Sequence, residues 1–288
     1  MADPDRSSGL KATHRSESGL AVTPPPSLLD LLTRNARAHG GAPVVLGLSG
    51  LVLVVAQAFV LTAEVEAAEV AQIVAFIFLA TAYATWPREP ERGVLVALAM
   101  LPIVQLLSLA LPTHLVPTSQ WFVLIGAPTY MLLVVVAYRI GLRPAGIGIR
   151  ITPWQPQVRI FLLGAALSVP AYLILRPEGL VADPTPVNVL TAAVIVAVFG
   201  GLLEEGLLRG VIQSIADRSI AGAGVAVSAF ATGLLYSGSR DLRYLVFAVL
   251  VGIVFGLAVR RTGSIIGVAG GHAALLVGQL VLLPVILR

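Results

Sequence analysis

The chain has 288 residues, no cysteine, 57% hydrophobic and only 12% charged residues, and a mean hydropathy of +0.91. That balance excludes a water-soluble globule, and the missing cysteine excludes disulfides, thiolate nucleophiles and thiolate metal ligands. The net charge of +4 comes from one lysine and eighteen arginines set against the acids. Because the arginines fall mostly between apolar runs, they read as membrane-orienting residues rather than a nucleic-acid surface.

Residues 1–42 are rich in Ser, Pro, Arg and acids, and Thr23-Pro-Pro-Pro-Ser27 breaks regular structure. They read as a cytoplasmic, largely disordered tail, with Leu28 to Arg37 as a short amphipathic turn at the membrane surface. The first forty residues contain no apolar core of a secretory signal. Apolar runs then predict spans at 43–63, 70–86, 93–111, 120–138, 158–175, 187–213, 220–236, 242–259 and 264–287. The expected fold is all-α, a polytopic membrane bundle of eight or nine transmembrane helices. It divides into the tail (1–42), N-terminal spans (43–175) and a C-terminal core (187–287).

Loop charges set an orientation. Arg6, Lys11, Arg15, Arg34 and Arg37 precede the first span, and Arg88, Arg92, Arg139, Arg143, Arg150, Arg159, Arg218, Arg260 and Arg261 fall in alternate loops. The intervening loops are acidic or nearly uncharged, with Arg176, Arg240 and Arg243 as exceptions. The positive-inside rule then puts the N-terminus in the cytoplasm, in a plasma membrane of bacterial type. It also puts the end of the sixth span on that side. Hydropathy shows no internal repeat, which argues against a transporter built from inverted halves.

Chemistry concentrates late in the chain. Glu204, Glu205 and Arg209 follow an uncharged run, and charges at membrane depth cost about 2.5–3.5 kcal/mol each. On a helix Glu205 and Arg209 stand at i and i+4, so Arg209 can hold Glu205. Glu204 points about 100° away, toward something else. The sequence places this group at the cytoplasmic end of the sixth span. Of the four histidines, His14, His39 and His114 read as surface residues. His272 lies inside an apolar span, where it either bonds a neighbouring helix or belongs to a site. Gly206/Gly210 and Gly252/Gly256 form G-x-x-x-G pairs that permit close helix approach.

Three phrases stand in order: Glu204-Glu-Gly-Leu-Leu-Arg209-Gly-Val-Ile-Gln213, Arg261-Thr-Gly-Ser-Ile265, and His272-Ala273. Together, over roughly Val187 to Leu276, they resemble the CPBP family (Abi, or CAAX-protease type 2) of intramembrane metal-dependent proteases. The resemblance implies Glu204 as general base, Glu205 and Arg209 as its supporting pair, and His272 as the second site histidine. It implies a divalent metal, zinc, with His272 and Glu205 among its ligands. It also implies a membrane-associated peptide or protein substrate whose tail enters near the cytoplasmic face; the lipid bilayer is the other expected partner, and nucleic acid is not one. Two positions depart from the family pattern. Ser228-Ala-Phe-Ala-Thr-Gly-Leu-Leu-Tyr236 has Thr232 for phenylalanine and Tyr236 for the first histidine, and Leu276 replaces an asparagine. A zinc site usually takes three protein ligands, which Glu204, Glu205 and His272 would have to supply. Tyr236 has two readings, a hydrogen-bond donor to an oxyanion or an interfacial tyrosine at a span end. Two further readings stay open: a catalytically inactive scaffold that binds a membrane partner, and a proton-coupled transporter using Glu204 and His272 as a relay.

Overall fold

The computed structural model describes residues 42–62, 64–87, 89–111 and 116–287. The expected tail lies outside the described residues except for Ala42, as do Leu28 to Arg37, Arg88, His14, His39 and His114. All regular structure among the described residues is helical. In chain order the helices are α1 (Ala42–Thr62), α2 (Val65–Thr85), α3 (Glu89–Ala110), α4 (Thr118–Arg139) and α5 (Trp154–Leu175). They continue as α6 (Pro186–Ser219), α7 (Gly224–Leu235), α8 (Leu242–Thr262) and α9 (Ile266–Ile286). Eight of them, all but α7, are long and apolar enough to cross a bilayer, which makes the protein an integral membrane helix bundle.

The seventh expected span, 220–236, is therefore corrected. α7 has 12 residues, about 18 Å, against a hydrocarbon core of about 30 Å. A 3-10 turn, Tyr236–Ser239, carries the chain onward, and Arg240 then donates to the Val60 carbonyl near the end of α1 (3.2 Å). The sequence shows an unbroken apolar run here. It does not show that the helix winds into a turn at Tyr236. Asp241 caps α8 by accepting from the backbone N–H groups of Arg243 and Tyr244. The Arg243 side-chain hydrogen bond is the main reason the Asp241 carboxyl is held down at about 2.

Two apolar clusters build the interior, and α6 runs between them. One gathers Leu53, Leu95, Met100, Leu101 and Leu133 around Leu207, Leu208 and Ile212 of α6. The other gathers Ala171, Phe255, Val268, Leu275 and Leu276 around Ala192 and Val196. α3 and α9 are the interior posts, whereas the other spans turn much of their surface outward. Outward Val, Leu and Ile side chains are what lipid requires, so they carry no folding penalty.

The spans α1 to α6 alternate in direction, and α7 with the turn Tyr236–Ser239 together bring the chain back from the end of α6 to the start of α8, so the helix ends sort into two faces. One face holds Arg92, Arg139, Arg143, Arg150, Arg218, Arg260 and Arg261. It is tied together by Arg260 to Asp217 (3.0 Å) and by the Ser264 hydroxyl to the Arg150 carbonyl (3.0 Å). The other face holds the ends of α1, α3 and α5, the starts of α2, α4, α6 and α8, and the turn after α7.

Candidate active site

The site is built around the middle of α6. Two widened π turns, Ala197–Leu202 and Gly206–Gln213, flank Leu203–Glu205. Such turns rotate the side chains they carry and are frequent at functional sites. Gly201 sits where α6 crosses α9, and a Cβ there would collide with the backbone of Ala273. That close crossing brings His272 to the face of α6 that carries the two glutamates.

Glu205 is fully buried, and one of its oxygens does most of its bonding. Oε1 accepts from Arg209 Nη1 at 2.8 Å and lies 2.7 Å from His272 Nδ1. Arg209, equally buried, also donates to the Gly252 carbonyl (3.3 Å), with its guanidinium 5.9 Å from the Phe255 ring. One turn further along, Gln213 donates to the Gly256 carbonyl (3.0 Å). The second G-x-x-x-G pair thus offers backbone carbonyls to α6 as well as room.

Glu204 behaves differently. Its side chain is 20% exposed while that of Glu205 is sealed. The Tyr236 hydroxyl donates to Glu204 Oε2 at 2.6 Å and lies 3.0 Å from His272 Nε2. Glu204 Oε2 and His272 Nε2 are themselves 3.6 Å apart. The side chains thus form a continuous chain: Glu204, Tyr236, His272, Glu205, Arg209. Tyr236 packs edge-on against Tyr244 at 5.7 Å, and the Tyr244 hydroxyl donates to Gln279 Oε1 (2.8 Å).

A cavity of about 380 Å³ opens above this chain, within the range of sites that hold small ligands. Glu204, Tyr236, Tyr244 and Gln279 give it polar groups. Trp121, Phe122, Phe199, Leu203, Leu276 and Leu280 make most of the remaining wall apolar.

All five residues singled out from the sequence, Glu204, Glu205, Arg209, Tyr236 and His272, meet in one cluster. Its depth differs from the sequence expectation. α6 is one helix of 34 residues and Glu204 stands near its midpoint, not at its cytoplasmic end. The charges interrupt the apolar run and so mimic a span end. The helix continues because Leu207, Leu208, Val211 and Ile212 beyond them are all buried. Sequence reasoning missed Tyr244, Gln279 and Phe255. A tyrosine and a glutamine inside apolar spans were the available signal, since such groups need a partner in lipid.

Glu205 and His272, expected as metal ligands, are hydrogen-bonded directly to each other. Glu205 meets Nδ1, the ring nitrogen turned away from Glu204, and the Tyr236 hydroxyl stands between Glu204 and Nε2. Among the described residues no three His, Asp or Glu side chains converge on one point. The donor set does not make a three-ligand zinc site.

Compared with protein families, residues 186–277 match the Type II CAAX prenyl endopeptidase Rce1-like family. No curated protein and no solved structure matches the chain. The matched segment begins with α6 and includes every residue of the cluster just described. Over this segment the chain is similar to the type II CAAX prenyl endopeptidases, with Tyr236 and Leu276 where the resemblance leads one to expect a histidine and an asparagine.

Proposed function

We propose that the protein is a membrane-embedded endopeptidase that hydrolyses peptide bonds of membrane-associated segments, with Glu204 as its general base. The observation that carries this reading is the contrast between the paired glutamates. Glu205 is locked to Arg209 and His272, while Glu204 alone reaches the cavity. A scaffold gains nothing from a second buried carboxylate left partly open.

The hydrogen-bond chain has two proton arrangements with the same total charge. In the first, His272 is an imidazolium: Nδ1–H donates to Glu205, Nε2–H donates to the Tyr236 oxygen, and Tyr236 O–H donates to ionised Glu204. In the second, Glu204 is protonated and donates to Tyr236, which donates to neutral Nε2. One proton shift along each of two bonds interconverts them. With Glu204 ionised, a water in the cavity can lose a proton to it while attacking the scissile carbonyl. The C–N bond then breaks as Glu204 passes that proton to the leaving amine, which leaves a carboxyl group on one fragment, an amine on the other and Glu204 ionised again. Tyr236 relays between base and imidazole, and Arg209 pairs with Glu205, which in turn holds the ring. These steps use the chain's own residues and route nothing through a metal.

The test compares peptides released from membranes carrying wild-type protein with those carrying Glu204→Gln at equal abundance. Glutamine keeps the shape and removes the base. Peptides present only with the wild type support the reading, and their termini give the cleavage preference. Indistinguishable peptide sets would overturn it.

A further inference from the structure

The cavity has a direction, and it points away from the arginines. Its lining runs from Glu204 to Val60 near the end of α1, Leu109 near the end of α3, Trp121 in the first turn of α4, Leu175 at the end of α5, and Gly238 and Arg240 in the turn before α8, and we infer that its mouth lies at this end. All of these are helix ends on one face. That face also carries Glu64, Glu66, Glu69, Glu178, Asp183 and Asp241 against Arg176, Arg240 and Arg243. On the opposite face, among the described residues, Arg92, Arg139, Arg143, Arg150, Arg159, Arg218, Arg260 and Arg261 outnumber Glu91 and Asp217. The sign asymmetry is what the positive-inside rule reads, and it assigns the arginine face to the cytoplasm.

A second observation closes the other route. Between Glu204 and the arginine face, α6 presents Leu207, Leu208, Val211 and Ile212, each no more than 2% exposed. Leu95, Met100 and Leu101 of α3, buried in the same apolar cluster, help to fill this side of the bundle. A segment entering from the arginine side would have to displace a packed core.

We propose that the substrate of this site is an apolar peptide segment presented from the non-cytoplasmic face of the membrane, rather than a cytoplasmic tail. The chemistry agrees with that class. Aromatic and leucine side chains wall the path to Glu204, and Glu204 lies near the middle of a helix that spans the bilayer. The accessible bond is therefore one buried below the outer surface, within or just inside the membrane end of a translocated segment. The substrate statement rests on the peptidase reading, whereas the face on which the cavity opens does not.

The chain has no cysteine, so single cysteines report without background. Gly238 lies at the cavity mouth with nothing within 4 Å of an added Cβ, and Ala221 is exposed in the turn between α6 and α7 on the arginine face. Gly238→Cys and Ala221→Cys would each be treated with a membrane-impermeant maleimide in intact cells and after permeabilisation. The expected result is labelling of Gly238→Cys in intact cells and of Ala221→Cys only after permeabilisation. The reverse pattern would overturn the assigned face. In the peptide comparison with Glu204→Gln, cut sites toward the non-cytoplasmic ends of their parent segments are expected. Cut sites in cytoplasmic tails would overturn the substrate class even with the expected labelling. A peptide set unchanged by Glu204→Gln would instead remove the peptidase reading, and the substrate class with it.

Discussion

α3 and α9 are buried to the same extent, 61% of the apolar stretch of each, yet they do different things. α3 is an apolar post with one amide, Gln105, whose Nε2 reaches Gln57 Oε1 (3.1 Å) and Ser237 Oγ (3.2 Å). α9 carries His272 into a network that holds two carboxylates and a guanidinium. A neutral network in lipid is worth little per bond, averaging about 0.6 kcal/mol in measured cases. An ionised one is far more sensitive, because removing one partner leaves a charge with no solvent. Equal burial therefore hides unequal consequences, and mutations on the two sides should separate them.

The largest effect is expected at Glu204. Glu204→Gln should lower peptidase activity by about two to four orders of magnitude, the usual range for a positioned acid–base group. Its unfolding temperature in detergent should stay near wild type, because Glu204 is the partly exposed member of the pair. Loss of fold at this position would mean that the two glutamates are not functionally distinct. Arg209→Met comes next, and there stability is what fails. It strands Glu205, whose side chain is fully sealed, and should cost about 3–5 kcal/mol. Adding Glu205→Gln to Arg209→Met removes the stranded charge and should restore part of that stability in a thermal-unfolding series. No recovery in the double variant would show that Arg209 acts by packing on Phe255 rather than by charge.

Tyr236→Phe keeps the edge-on contact with Tyr244 and deletes only the hydroxyl. Activity should fall about tenfold, less than for Glu204→Gln, because the base remains while its link to His272 is lost. The pH profile is the telling readout. A relay predicts that the kcat/KM profile changes shape when the hydroxyl is lost, whereas a purely structural tyrosine would lower the whole profile without changing its shape.

Much of this was legible in the sequence, for physical reasons. Eight spans announce themselves because lipid demands long apolar runs. Glu204, Glu205, Arg209 and His272 stand out because ionisable groups in such runs are expensive. Tyr236 was visible as the residue where a histidine was expected, but its bonds to both Glu204 and His272 are tertiary facts. Depth was not legible, since three charges in six residues look the same whether a helix is ending or passing a polar site. What decides is the burial of Leu207, Leu208, Val211 and Ile212 against helices far away in the chain. The amide network was not legible either. Gln57, Gln105 and Ser237 share no spacing, and a single glutamine in an apolar run does not name its partner.

That network supplies the smallest effect and the closest test of the contrast. Ser237 follows Tyr236 directly, in the 3-10 turn that sets where the tyrosine hydroxyl points. Its Oγ lies 2.7 Å from Gln57 Oε1 on α1, and Gln105 on α3 braces both. Gln105→Leu removes the brace but leaves the Ser237–Gln57 bond, and leucine fills similar space. Stability should fall by about 1 kcal/mol, since only neutral bonds are lost. Activity should fall a few-fold through a looser Tyr236, and Gln105→Glu, which loses the Nε2 donor to Ser237 Oγ and Gln57 Oε1, should not restore it. Combined with Tyr236→Phe, Gln105→Leu should cost no further activity, because a brace for an absent hydroxyl has nothing to position. Additive losses in that pair would mean that α3 acts on the site by another route, and the division between an apolar post and a working one would fail.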